Sequence, residues 1–126
     1  MRILPALSFA LLSLTVFSCK HSDSAVPCYS GVVVGDACMD GILIDVDAAS
    51  AIGKPTGNYT NVIAAVNFAD LSNLNKVGQR VYFTYRNDPN QQTASRFCTA
   101  NSTPLPVPHF VLSNLSATSC EAGASH

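Results

Sequence analysis

The fold is decided by residues 29–47, which read YSGVVVGDACMDGILIDVD. This stretch contains two strand-like runs on either side of a turn with Asp40-Gly41 at its tip. Three consecutive valines favour a pleated backbone in the first run, because β-branched side chains pack well on the surface of a sheet. The second run places isoleucine or valine at alternate positions, which is typical of a half-buried strand. The pattern predicts a hairpin of two strands, over residues 29–37 and 41–46.

Three more strands are predicted further along the chain, over residues 62–67, 79–86 and 109–117. Residues 79–86 show the clearest alternation, with Val81 and Phe83 on one face. A change of period between residues 68 and 77 predicts one or two helical turns. Residues 48–61 and 87–105 are predicted to be loops, because they are rich in polar residues, glycine or proline.

Five strands with a short helix between the third and the fourth follow the order of the OB-fold, a small five-stranded barrel. The fold class predicted is therefore all-β, with one short helix, as an OB-like barrel held by disulfides. The alternative is a β-sandwich, which needs about seven strands. Its missing strands would have to lie within residues 52–59 or 97–105.

The first residues differ in character from the rest. Met1-Arg2 is positively charged, and residues 3–17 are mostly apolar, which is typical of a secretory signal. The segment ends in Val16-Phe17-Ser18-Cys19, which resembles a bacterial lipobox. The resemblance implies cleavage before Cys19 and attachment of lipid to its sulfur. The alternatives are an ordinary secretory signal and an uncleaved N-terminal anchor.

The domain boundaries follow from this interpretation. We expect a lipoprotein signal peptide over residues 1–18, a lipidated cysteine and polar tether over 19–27, a single β-barrel domain over 28–120 and a flexible tail over 121–126. Within the tether, Asp23-Ser24-Ala25 resembles the O-glycosylation site of Bacteroidota, which makes Ser24 a candidate acceptor. The alternative is a plain solvated linker.

The cysteines support export. The chain has five cysteines, and lipidation of Cys19 leaves four, enough for two disulfides in an oxidising compartment. Cys28 and Cys38 lie at opposite ends of the first strand, about 30 Å apart at about 3.3 Å per residue, whereas a disulfide needs Cα atoms within about 7 Å. The strand directions of the barrel favour Cys28–Cys98 and Cys38–Cys120.

The spacing over nearly the whole mature chain also resembles that of small lipoproteins of Bacteroidota with an OB-like β-barrel domain. The matching segments are Gly31–Val34, Cys38, Ile42–Val46, Ala65–Asn67, Gly78–Tyr85 and Cys120. The resemblance implies a fold and a location in the bacterial cell envelope, on the periplasmic or the surface side of the outer membrane. It implies no activity.

Charge excludes one class of partner. The chain has seven Lys and Arg, of which Arg2 belongs to the signal, against eight Asp and Glu. The remaining balance of six to eight is mildly acidic, whereas a nucleic-acid-binding protein needs a basic surface. We therefore expect no nucleic-acid partner, and a membrane contact through the lipid anchor.

Several polar residues are candidates for chemistry. Four aspartates lie within twelve residues and suggest calcium, namely Asp36, Asp40, Asp45 and Asp47. The turn accounts for Asp40 and the solvent side of the second strand for Asp45 and Asp47, and the residue order of an EF-hand loop is absent, so neither a metal nor a cofactor is predicted. A structural role is predicted for His109. No nucleophile or zinc-protease motif is present, so no enzyme is predicted.

A contact surface is predicted on the fourth strand. Tyr82, Thr84 and Arg86 alternate with the apolar positions and would point outward, as a face for a peptide, a glycan or a protein. The alternative is an ordinary amphipathic face. The sequence thus predicts a membrane-anchored extracytoplasmic lipoprotein that acts as a binding or envelope-structural module. The alternatives are an inhibitor or accessory subunit of an envelope enzyme, acting through the loop 87–105, and a small hydrolase.

Overall fold

The computed structural model describes residues 27–120. Its strands are β1 (Tyr29–Ala37), β2 (Gly41–Val46), β3 (Lys54–Thr56), β4 (Tyr59–Ala65), β5 (Arg80–Arg86) and β6 (His109–Ser116). The bounds of β1 and β2 are those predicted. Cys19 and Ser24 lie outside the described residues, so the expected lipidation and glycosylation stay predictions.

Five of the strands close into a barrel. The order around it is β2-β1-β5-β6-β4, and β4 pairs with β2 to complete the circle. All neighbours are antiparallel except β4 and β6, which are parallel. The short β3 pairs with β4 outside the circle. This connectivity confirms the OB-like barrel. The β-sandwich alternative is wrong, because the one additional strand, β3, pairs with the edge of β4 and forms no second layer.

The inside of the barrel is filled by the alternate apolar residues of each strand. The fully buried strand residues of this core are Val33, Ile42, Ile44, Ile63, Ala65, Val81 and Phe83. The predicted helix is a single 3-10 turn, Phe68–Leu71, and it places Leu71 in the same core. The observed helix is shorter than predicted and ends at Leu71. The apolar residues that follow, Leu74 and Val77, are at most partly buried, so their burial contributes little free energy to extend the helix.

Gly41 is required where β1 turns into β2. Its φ is +91°, in the left-handed region, and a Cβ added there would lie 2.1 Å from the carbonyl oxygen of Ala65 on β4. Both the turn and the close approach of β4 need a residue with no side chain. The tip of this hairpin therefore presses directly against the next strand of the barrel.

The structure joins Cys28 to Cys120 and Cys38 to Cys98, with Cα atoms 5.7 and 5.8 Å apart. Two disulfides are confirmed, and so is the separation of Cys28 from Cys38. The predicted pairing is wrong, because the strands are staggered.

The register across β5 shows the stagger. Ser30 at the start of β1 pairs with Tyr82, and Tyr82 pairs with Ser116 at the end of β6. The end of β6 therefore lies near the start of β1, although the two strands run in the same direction. Strand direction alone would have placed it near the end of β1. This brings Cys120 to Cys28, and leaves Cys38 for the long loop that precedes β6.

No helix within residues 27–120 is both long and apolar enough to cross a membrane.

Candidate functional site

Several contacts between residues distant in sequence lie at one end of the barrel. There the turn between β1 and β2, residues 38–40, lies against the connection between β5 and β6, residues 87–108. We call these two segments together the loop end. The Cys38–Cys98 disulfide joins them, and the Ala94 amide donates to the carbonyl of Met39 at 2.8 Å. The long connection is therefore held against the barrel at several points.

Arg96 is the main polar clamp of the loop end. Its guanidinium donates to the carbonyls of Cys38 at 2.7 Å and Ala37 at 2.6 Å, and forms an ion pair with Asp36. The guanidinium carbon also lies 4.4 Å from the centre of the Phe68 ring, within the range of a cation–π contact. All of these groups belong to the chain itself, so this charge is engaged in holding the loop.

Phe97 follows directly, and its side chain is completely exposed. It lies between Arg96 and Cys98, the two residues that fix the loop to the turn. Together with Ala94 and Ser95, Arg96 and Phe97 line a shallow surface hollow. Leaving a phenylalanine in water forgoes about 1.5–3 kcal/mol of burial energy. Folding thus fixes the backbone here without burying the ring.

A buried acid–base pair lies beneath the loop end. Asp40 is 1 % exposed and His109 is 9 % exposed. The carboxylate oxygen of Asp40 accepts hydrogen bonds from Nε2 of His109 at 2.6 Å and from the amide of Leu105 at 2.8 Å. The pair thereby joins the β1–β2 turn to the start of β6 and to the end of the long connection.

This pair corrects the interpretation of Asp40 as an ordinary turn residue and gives physical content to the structural role predicted for His109. A carboxylate–imidazole pair is also two thirds of a hydrolytic triad. Within residues 27–120, however, the side-chain hydrogen bond of His109 goes to Asp40, and no serine or cysteine donates to its ring. The geometry therefore supports a structural tie.

The outer surface of β2 and β4 is covered by the chain itself. Val62 and Ala64 point away from the barrel interior and are buried by Leu105 and Val107, with Leu43 packed beside them. In OB-folds the corresponding strands and adjoining loops bind oligonucleotides and oligosaccharides. Here the proline-containing end of the long connection occupies that surface, so an extended ligand would have to displace it.

The predicted contact surface on β5 is smaller than the alternation indicated. Thr84 is buried, because Asn114 bulges out of β6 with a φ of 52° and donates to the Thr84 hydroxyl at 2.9 Å. Arg86 is exposed and pairs with Asp88 at 2.8 Å. Tyr82 is half-buried. The three residues share one strand, but only Tyr82 and Arg86 are accessible.

The four clustered aspartates are not gathered into one site. Asp36 pairs with Arg96, Asp40 with His109, and Asp45 accepts from the amide of Asn61 at 3.1 Å. No group of three or more potential metal ligands occurs in the described part of the chain.

Asp47, the fourth of these aspartates, lies near the opposite end of the barrel. It accepts from the Ser30 hydroxyl and from Nη1 of Arg80 at 2.9 Å. The hydrogen bond from Ser30 is the main reason that the pKa of Asp47 lies below its ordinary value, and Arg80 adds to the effect. These bonds favour the charged form of the carboxyl.

Sequence reasoning pointed to the long connection but not to the residues that distinguish it. A large aromatic next to a cysteine, in a segment otherwise rich in small polar residues, is a signal that could have found Phe97. No local signal could have found the Asp40–His109 pair, because the two residues are 69 positions apart in sequence.

Comparison with known proteins adds no family to this description. A scan against protein-family models finds no match, and a search of curated proteins also finds none.

Proposed function

We propose that the protein is a lipid-anchored binding module of the bacterial cell envelope, which engages its partner through the loop end of the barrel. The lipobox-like Val16-Phe17-Ser18-Cys19 supports the anchor, and stable attachment takes two or more acyl chains. The two disulfides support an oxidising compartment outside the cytoplasm.

The observation that carries the binding role is the separation of the two ends. The tether enters the barrel at Cys28, beside Cys120, whereas the loop end is tied at Cys38. β1 connects the two points with nine residues, which span about 30 Å at about 3.3 Å per residue. A barrel attached to a membrane through residues 19–27 therefore has its most strongly fixed loop at the end far from the attachment point.

A second candidate is an inhibitor or accessory subunit of an envelope enzyme. It is favoured by one observation, the exposed Phe97 on a loop locked by a disulfide. A pre-ordered loop with an exposed apolar side chain loses little entropy when it enters a pocket of a partner. Loss of an enzyme's activity on adding the purified protein would favour this role over that of a passive envelope component.

Anchoring is tested by labelling cells with radioactive palmitate. The full chain should incorporate the label and fractionate with membranes, and Cys19→Ala should abolish both, because only that sulfur is expected to be acylated. Label that persists in Cys19→Ala, or wild-type protein without label, would contradict the proposed anchor.

Binding is tested with two alanine positions in exposed turns. Ala100→Arg places a bulky charge on the loop end, and Ala49→Arg places the same charge on the turn that follows β2, near the tether. Proteins cross-linked to the wild type in intact cells should be lost with Ala100→Arg and kept with Ala49→Arg. The opposite result would move the binding surface to the tether end of the barrel.

A further inference from the structure

We infer that Phe97 is the apolar anchor by which the protein docks into a pocket on the surface of another protein. The inference rests on the proposed binding role of the loop end and adds the residue, the chemistry and the class of partner. In the described part of the chain, the exposed large apolar side chains are those of Tyr59, Val77 and Phe97, and the ring of Phe97 is the most exposed.

The first argument is that Phe97 is fixed before any partner arrives. The preceding residue is clamped by its bonds to Cys38 and Ala37, and the following residue is in the Cys38–Cys98 disulfide. A phenylalanine ring has only two rotatable side-chain bonds, so little freedom is left to lose on binding. Residues that dominate protein interfaces are commonly large side chains of this kind, presented on ordered backbone.

The second argument concerns what surrounds the ring. Residues 89–105 contain a single charged residue, Arg96. That charge is already paired with Asp36 and bonded to two carbonyls of the chain. The other chain neighbours of Phe97, such as Ser95 and Thr99, are neutral and polar. A complementary surface would be an apolar pocket whose rim offers uncharged hydrogen-bonding groups.

The same facts distinguish a protein from a lipid surface. Peripheral attachment to an anionic membrane combines inserted apolar residues with several unpaired Lys or Arg beside them. The only cationic side chain in residues 89–105, that of Arg96, is already paired with Asp36. The ring also lies at the end of the barrel far from Cys28, where the tether joins the barrel. Both observations favour a protein partner.

The third argument is that the other apolar surface is already covered. Leu105 and Val107 close the outer side of β2 and β4. The strands that usually bind ligands in this fold are therefore covered by the chain's own residues. The large apolar side chain that stays accessible to a ligand at the loop end is Phe97.

The first step of the test identifies the partner in cells that express the full chain. A photoreactive phenylalanine analogue is placed at position 97, and at position 77 as a matched control, since Val77 is also exposed, at 71 %. We expect a specific cross-link to one protein from position 97 and none from position 77. A cross-link to lipid, a cross-link to a second copy of the chain, or none from position 97 would overturn the inference.

The second step measures binding of the full-length protein in detergent to the purified cross-linked protein. Phe97→Ser should weaken binding by about 30-fold or more, the range expected of a dominant interface residue, whereas Val77→Ser should change it by less than about threefold. Equal weakening by the two variants would overturn the inference. Phe97→Ser is expected to fold normally, because the ring buries no area in the protein.

The third step uses the absence of tryptophan from the chain. Phe97→Trp introduces one fluorescent reporter at the ring position, and its emission should shift to the blue on addition of the purified partner. Vesicles of phosphatidylethanolamine and phosphatidylglycerol should leave the emission unchanged. A blue shift with the vesicles, or none with the partner, would contradict a protein pocket for this side chain.

Failure of the inference can be separated from failure of the binding role. If Ala100→Arg abolishes binding and Phe97→Ser does not, the loop end binds through other residues, so the binding role stands and the inference falls. If neither substitution affects binding, both are wrong.

Discussion

Replacing Asp40 with alanine should be among the most damaging single changes in this domain. The side chain is 1 % exposed, and its carboxylate accepts from Nε2 of His109 and from the amide of Leu105. The substitution removes an acceptor and leaves one buried donor, at His109, and one part-buried donor, at Leu105, without a partner. Each donor left without a partner costs about 1–3 kcal/mol. We therefore expect a loss of about 3 kcal/mol.

Asp40→Asn provides the matched comparison. The amide oxygen of asparagine can accept the same two hydrogen bonds at similar geometry, so the loss should be smaller than for Asp40→Ala. Asp70→Ala serves as the control for removing a carboxylate. Asp70 is exposed and accepts one hydrogen bond, from Asn67, and an exposed bond of this kind contributes less than about 1 kcal/mol.

The assay is thermal denaturation with both disulfides intact, followed by circular dichroism. For a domain of about 100 residues, a loss of about 3 kcal/mol corresponds to a fall in Tm of about 12–24 °C. Hydrogen exchange would also locate the effect, because the Leu105 amide should lose its protection first. If Asp40→Ala loses no more stability than Asp70→Ala, the buried pair makes no net contribution and the reasoning is refuted.

Three further predictions follow from the same structure. Gly41→Ala should cost about 3 kcal/mol, because it adds a Cβ at a positive φ and against a backbone carbonyl; a change in the thermal midpoint of only a few degrees would show that the β1–β2 turn is built differently. Because its folded pKa is lowered, chiefly by the Ser30 hydroxyl, the Asp47 carboxylate adds stability that is present above pH 3.8 and is lost as the pH falls through the folded pKa. The stability difference between wild type and Asp47→Asn should therefore shrink in denaturation experiments between about pH 5 and pH 2, and a constant difference would exclude the linkage. Replacing both Cys28 and Cys120 with serine should cost about 4–5 kcal/mol in the chain-entropy model, and peptide mapping that recovered a Cys28–Cys98 bridge would contradict the strand register.

The hairpin of β1 and β2 could be predicted to the residue, because its signals are local. The valine run, the alternation after Gly41 and the turn at Asp40-Gly41 each act over a few residues. The next segment was less predictable. β4 begins at Tyr59, three residues before the predicted start at Val62, and β3 forms within a segment that the sequence predicts to be a loop. Polar residues can form a strand when a neighbouring strand supplies the hydrogen bonds, and their sequence carries little sign of it.

The candidate site was predictable only as a segment. The length and polarity of the long connection identify it in the sequence as a loop that could contact a partner. Contacts with residues 36–38, about 60 positions away in sequence, fix the conformation of Arg96, Phe97 and Cys98. No pattern within the connection reveals that its arginine is paired with Asp36.

The amino-acid sequence by itself determined the five strands of the barrel, their order and the number of disulfides, because side-chain periodicity and cysteine count are properties of the chain alone. Only the tertiary structure decided the cysteine partners, the Asp40–His109 pair and the covering of β2 and β4 by Leu105 and Val107. The physical reason is the stagger of the strands. A barrel can close only with a particular stagger, and that stagger sets which distant residues become neighbours.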